Sequence, residues 1–98
     1  MTEVTWSPES LRDLESIRDY IARDSRTYAD LVVRRIVAAV ERLGMFPESG
    51  RIVPELNLPS IREVIVRPYR VVYRLREGAA EVVTVFRGSR LLDLPSME

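Results

Sequence analysis

The chain contains no cysteine, no histidine and no lysine. The absence of cysteine excludes disulfides and a thiol nucleophile, and with histidine also missing the usual zinc sites are excluded. The absence of histidine removes the commonest general base near neutral pH. All 15 basic residues are arginine, a usage that genome base composition alone can produce. Arginine stays protonated to a pKa above about 12, so it serves poorly as acid or base. No apolar run approaches the length of a membrane span. The N-terminal stretch Met1-Thr2-Glu3-Val4 has no basic segment leading into an apolar one, so no secretory signal is expected. The default expectation is a cytoplasmic protein without cofactor and without membrane contact.

What is present suits one globular domain. The 98 residues are 46% hydrophobic and 31% charged, outside the range of disordered chains, and residues 1–98 form one domain. A domain this small buries only about two-thirds of its unfolded surface, which leaves apolar area for a partner. Net charge is zero but unevenly placed. Residues 1–60 carry 8 arginines against 10 acids, whereas residues 61–90 carry 7 arginines against 3 acids, or +4. The basic stretch suits nucleic acid or an acidic protein. A zero total speaks against a general nucleic-acid binder, and no sequence-specific DNA binding by this chain alone is expected.

The periodicity changes once along the chain. Val4-Thr5-Trp6 reads as a first strand. Ser7 caps a helix over 8–24 with Pro8 at its first position, and Leu11, Leu14, Ile17 and Ile21 follow at helical spacing. Arg12, Asp13, Glu15, Arg18 and Asp19 take the solvent side. A second helix runs over about 27–43, with Ala29, Val33, Ile36, Val40 and Leu43 on one stripe, widened by Val32 and Val37. Gly44 marks a left-handed stop. Residues 45–60, with Pro47, Gly50, Pro54 and Pro59, read as a loop across the surface. Three strands follow: Ile61 to Val66, Tyr69 to Leu75 with Tyr69, Val71, Tyr73 and Leu75 on one face, and Glu81 to Arg87. Glu77-Gly78-Ala79-Ala80 supplies a turn. The expected class is α+β in the order β-α-α-β-β-β, a helix hairpin packed on one face of a small, mostly antiparallel sheet.

Four segments carry a resemblance. They are Val4-Thr5-Trp6-Ser7-Pro8-Glu9 with Leu11, Asp13, Leu14 and Ile17; Phe46-Pro47-Glu48-Ser49-Gly50-Arg51; Ile61-Arg62-Glu63 with Pro68-Tyr69-Arg70-Val71-Val72-Tyr73-Arg74; and Val85-Phe86-Arg87-Gly88-Ser89-Arg90-Leu91. In this order and spacing they resemble the RelE/ParE toxin superfamily of type II toxin–antitoxin systems. The resemblance implies neutralisation by a cognate ParD-like antitoxin in a hetero-oligomeric complex. It also implies one of two activities, inhibition of DNA gyrase (ParE-like) or cleavage of mRNA on the ribosome (RelE-like).

The candidate residues choose between them. RNA cleavage needs a base, an acid and cations for the phosphorane. RelE-like members typically add lysine, histidine or a C-terminal tyrosine; here the tail reads Leu91-Leu92-Asp93-Leu94-Pro95-Ser96-Met97-Glu98. The nuclease candidates are Arg70, Arg87 and Arg90, with Tyr73 or Glu81 as assistants, and Glu81 reads more simply as a solvated turn residue. Arg70 reads either as functional or as a structural arginine paired to a carboxylate from the helices. Arg87 and Arg90 read as contacts to a partner or target, and Tyr69, Tyr73 and Trp6 as core. Arg62, Arg70, Arg74, Arg87, Arg90, Leu91 and Leu92 form the expected target- or antitoxin-binding set. The tail leucines read either as closing the core edge or as part of an antitoxin groove. The reading that follows is a ParE-like toxin acting on gyrase, with a RelE-like endonuclease or an inactive toxin-fold binding module as alternatives.

Overall fold

The computed structural model describes residues 1–88. Strand β1, Glu3–Trp6, leads into helix α1, Pro8–Ala22. The Ser7 hydroxyl accepts from the Ser10 backbone N–H at 3.0 Å and donates to the Val83 carbonyl at 3.0 Å. One side chain therefore caps the helix and ties its start to the sheet. Ser25 caps α2, Arg26–Glu41, by accepting from the Tyr28 N–H at 3.1 Å. Both helices end before their expected limits, and α2 begins one residue earlier than expected. The expected left-handed stop at Gly44 is not there: Arg42–Gly44 form a 3-10 turn. The one glycine with positive φ among the described residues is Gly78, at +73°, in the turn between β4 (Tyr69–Arg76) and β5 (Ala79–Arg87). Ala79 and Ala80, expected in that turn, already belong to β5.

The loop expected over 45–60 is interrupted by a two-residue strand, β2, Arg51–Ile52. It pairs with the start of β3, Ile61–Val66. The sheet order is β1-β5-β4-β3-β2, with β1 parallel to β5 and every other pairing antiparallel. The expected fold class is the one observed.

The helix hairpin covers one face of the sheet. Val32, Ile36, Val40 and Leu43 pack against Tyr69, Val71, Tyr73, Ala80, Val82 and Val85, with Leu14, Ile17 and Ile21 of α1 half-buried beside them. Full burial of each such aliphatic side chain stabilises by about 1.5–3 kcal/mol. The stripe of α2 centres on Val32 rather than Val33, which is half-buried. On the opposite face Val53, Ile61 and Val72 form a second small core, flanked by Leu56, Leu58 and Phe86. The segment after β2 thus folds back as a cover over this face, and its ends close through the Val53 N–H and the Ile61 carbonyl, 3.1 Å apart.

Strand β5 carries a bulge. Val72 pairs with Thr84 while Tyr73 pairs with Val82, so Val83 is the extra residue. Helix α1 exploits it. The Asp13 carboxylate accepts from the Thr84 hydroxyl at 2.6 Å and from the Val85 N–H at 3.0 Å. Asp13, expected on the solvent side, is in fact half-buried and pins α1 to the sheet.

Candidate functional site

The chemistry-bearing residues converge on the outer edge of β3 and on the sheet face away from the helices. Alternation along β3 places Ile61, Glu63 and Ile65 on that face, and Arg70 of β4 is the register partner of Ile65. Glu63 is fully buried and Arg70 nearly so. An isolated buried charge is costly, so both need partners. Glu63 accepts from Arg70 Nε at 2.6 Å through one carboxylate oxygen and from Arg51 Nε at 2.6 Å through the other. The two terminal nitrogens of Arg70 donate at 2.7 and 2.8 Å to the two oxygens of Glu55, in the covering loop. The Arg70 guanidinium also lies 5.4 Å from the centre of the Phe86 ring, within cation–π range.

The electrostatics follow from this geometry. Hydrogen bonding from Arg70, against a smaller opposing effect of burial, lowers the Glu55 pKa to about 2. The same bond raises that of Arg70. Burial pushes the Tyr73 hydroxyl up, opposed by its hydrogen bond from Gly50. None of these three groups is brought nearer to a neutral-pH proton transfer.

Tyr73 has a different task. Its hydroxyl accepts from the Gly50 N–H at 3.0 Å and donates to the Pro47 carbonyl at 2.8 Å. This draws residues 47–50 inward and ends the pairing of β2 with β3 at Glu63. Val64, Ile65 and Val66 therefore have β4 on one side and no strand on the other among the described residues. Ile65 is 43% exposed there. Two open clefts flank this edge and share Arg51 and Ile65. One, of about 350 Å³, is lined also by Ala39, Arg42, Gly50 and Val64. The other, of about 440 Å³, is lined also by Arg67, Pro68, Tyr69, Arg70 and Gly88.

The expected site residues separate as follows. Arg62 donates to the carbonyls of Pro59, Glu48 and Gly50 and so braces the loop. Arg70 is paired, but to carboxylates of β3 and the covering loop rather than of the helices. Arg74 pairs with Glu81 at 2.8 Å, which places Glu81 within a strand instead of a solvated turn. Arg87 is exposed at the end of β5. Tyr69 and Tyr73 are core residues, and Trp6 packs half-buried against them. Arg90, Leu91, Leu92 and Leu94 lie outside the described residues. Sequence reasoning missed Glu55, Glu63, Arg51 and Arg67. Of these, Glu63 carried a signal: an acid in phase with Ile61 and Ile65 on an apolar strand demands a buried cation. Among the described residues no helix is long and apolar enough to cross a membrane, and no cluster of three or more acidic, His or Cys ligands is present.

Comparison with known proteins agrees with this architecture. The chain is 35% identical over 92 residues to Toxin RelE2 of Caulobacter vibrioides, covering 93% of this chain and 100% of that one. It is 36% identical over 84 residues to the putative toxin Y4kP of Sinorhizobium fredii, covering 84% and 83%. Its fold matches a chain of the chromosomal ParDE TA system from P. aeruginosa with a TM-score of 0.74 at 22% identity, covering 89% of this chain and 96% of that one. It matches YoeB from Staphylococcus aureus, solved as a dimer, with a TM-score of 0.56 at 16% identity, covering 85% and 92%. The family model for the ParE toxin of the type II toxin–antitoxin system parDE matches residues 4–92, nearly the whole chain. The chain therefore belongs to the ParE toxin family, within the RelE/ParE superfamily of type II toxin–antitoxin toxins.

Proposed function

We propose that this toxin acts by binding and inhibiting DNA gyrase, without cleaving RNA, and that a cognate ParD-like antitoxin neutralises it. One observation carries the choice. Arg70, the arginine best placed by sequence to hold a scissile phosphate, already has its forked end on Glu55 and its Nε on Glu63. A nuclease would also need an acid and a base, and the chain has neither histidine nor lysine to supply them.

The antitoxin contact fits the unpaired edge of β3. An extended segment laid beside Val64–Val66 gains backbone hydrogen bonds, and alternate side chains meet Ile65 on one face and the helix side on the other. Arg42, Arg51 and Arg67 favour an acidic segment there. They also disfavour pairing with the same edge of a second copy, because that would bring like charges together.

Expression in bacteria separates the two activities. Gyrase inhibition predicts filamentation and a DNA-damage response with intact transcripts. Translation arrest with codon-specific cuts that Arg70→Ala abolishes would assign the RelE-like activity instead. For the partner, Ile65→Asp should weaken co-purification with the product of the adjacent reading frame while leaving the thermal melt within a few degrees. Undiminished capture would remove the β3 edge from the interface.

A further inference from the structure

We propose that the chain's own tail docks along the outer edge of β3 as a short antiparallel strand, with Leu94 beside Ile65, and so closes the part of that edge which β2 does not reach. The backbone of β3 sets the register. The Val53 N–H donates to the Ile61 carbonyl at 3.1 Å, so Ile61 turns its backbone groups outward, and by strand alternation Glu63 and Ile65 do the same. Ile61 is met by Val53, and Glu63 pairs with Arg51 of β2. The backbone groups of Ile65 meet no strand among the described residues, and its side chain is 43% exposed. Such an edge is a template for one more strand.

The place where the described residues stop points to the occupant. The Gly88 N–H donates to the Pro68 carbonyl at 2.7 Å, which holds the end of β5 against the turn between β3 and β4. Gly88 also lines the cleft of about 440 Å³ that reaches Arg51, Ile65 and Arg67. The segment that follows includes Leu91-Leu92-Asp93-Leu94-Pro95. A strand added outside β3 lies three strand spacings from β5, about 14 Å. The Cα steps from Gly88 to Asp93 span about 17 Å when extended, so Asp93 reaches a position beside Val66. Leu94 then falls beside Ile65, and Pro95 beside Val64. In this register Leu94 exchanges both backbone hydrogen bonds with Ile65 and covers its exposed side chain. Leu92, two residues earlier and therefore on the same face, falls beside Arg67 at the cleft. Pro95 lacks an N–H, and it takes a position whose backbone points away from β3. It ends the added strand one residue before Glu63, where β2 already holds the edge. A shift of one residue would put Pro95 opposite Ile65, where an N–H donor is needed. Charge agrees: Asp93 and Glu98 outnumber Arg90 in the tail, whereas Arg42, Arg51 and Arg67 line the clefts flanking the edge. The tail is then a built-in competitor for any strand that a partner adds to β3. For the antitoxin this consequence rests on the reading proposed above; the docking itself does not.

The test uses the full-length chain labelled with nitrogen-15 and carbon-13, as wild type and as Leu94→Asp. The Ile65 amide should exchange with solvent roughly tenfold more slowly in wild type than in Leu94→Asp, while the amides of Val64 and Val66, which face β4, should change little. In wild type the Leu94 methyl groups should show nuclear Overhauser contacts to Ile65. Because the chain has no cysteine, Ile65→Cys combined with Leu94→Cys supplies a second readout: mild oxidation should close a disulfide within the monomer. Equal exchange of the Ile65 amide in wild type and Leu94→Asp, or Overhauser contacts that place Leu94 elsewhere on the molecule, would overturn the proposal. So would disulfides formed only between chains, or protection of Ile65 that disappears on dilution, since either assigns the edge to a second copy. None of these measurements involves gyrase or an antitoxin, so such a failure leaves the toxin reading untouched.

Discussion

At Gly50 the chain passes so close to its neighbours that a Cβ would lie 2.6 Å from the Glu63 carbonyl oxygen and 2.6 Å from the Tyr73 hydroxyl. The glycine is therefore required by contact. Gly50→Ala should cost about 1–3 kcal/mol, the usual penalty for overpacking, measured as a lower midpoint in urea without a change of slope. An unchanged midpoint would show that the loop moves aside freely. Glu55 makes a second residue-scale prediction. Its folded pKa, about 2, lies below its ordinary value of 4.5. Its contribution to stability is thus fully present above pH 4.5 and is lost as pH falls through 2. Glu55→Gln should flatten this acid limb of the stability curve while leaving the neutral-to-alkaline side parallel to wild type. A variant that follows the wild-type curve through pH 2–4.5 would show that the Arg70–Glu55 pair is not formed in solution.

At the scale of elements, the two helices and three long strands were legible because each carries a regular apolar period and ordinary caps. Ser7 and Pro8 act where they were expected to act. Strand β2 was not legible, since two residues contain no period; the Gly50 N–H just before it donates to the Tyr73 hydroxyl, 23 residues away, a contact no local pattern encodes. Asp13 was misplaced for a related reason. The helical pattern of α1 assigns it to solvent, whereas the bulge at Val83 presents the Thr84 hydroxyl and the Val85 N–H to it. Asp13→Ala leaves that N–H without its acceptor, so it should destabilise by about 1–3 kcal/mol and raise hydrogen exchange at Val85 first. Exchange that rises equally across the sheet would contradict a local pin. For the candidate site, Arg70 was visible from its strand position, but its partners Glu55 and Glu63 depend on a loop fold that no local pattern encodes. The arginines at positions 51 and 67 acquire meaning only once the sheet order places them beside the same cleft.

At the scale of the whole molecule, the fold divides labour between two faces. The helix side holds the main core. The other side carries the arginine–carboxylate cluster, and along the edge between them Val64–Val66 of β3 have a neighbouring strand on one side only, among the described residues. A toxin built this way exposes an isoleucine and several arginines along that edge, while Arg70 is held by carboxylates of β3 and of its own covering loop. Inhibition by binding, without RNA cleavage, is the activity proposed above. The measurement that bears on it most directly is supercoiling of relaxed plasmid by purified DNA gyrase in the presence of the antitoxin-free chain, run beside a primer-extension assay on ribosome-bound transcripts. The expected result is loss of supercoiling that stoichiometric antitoxin restores, with transcripts intact. Full supercoiling activity together with transcript cuts that disappear in Arg70→Ala would contradict it.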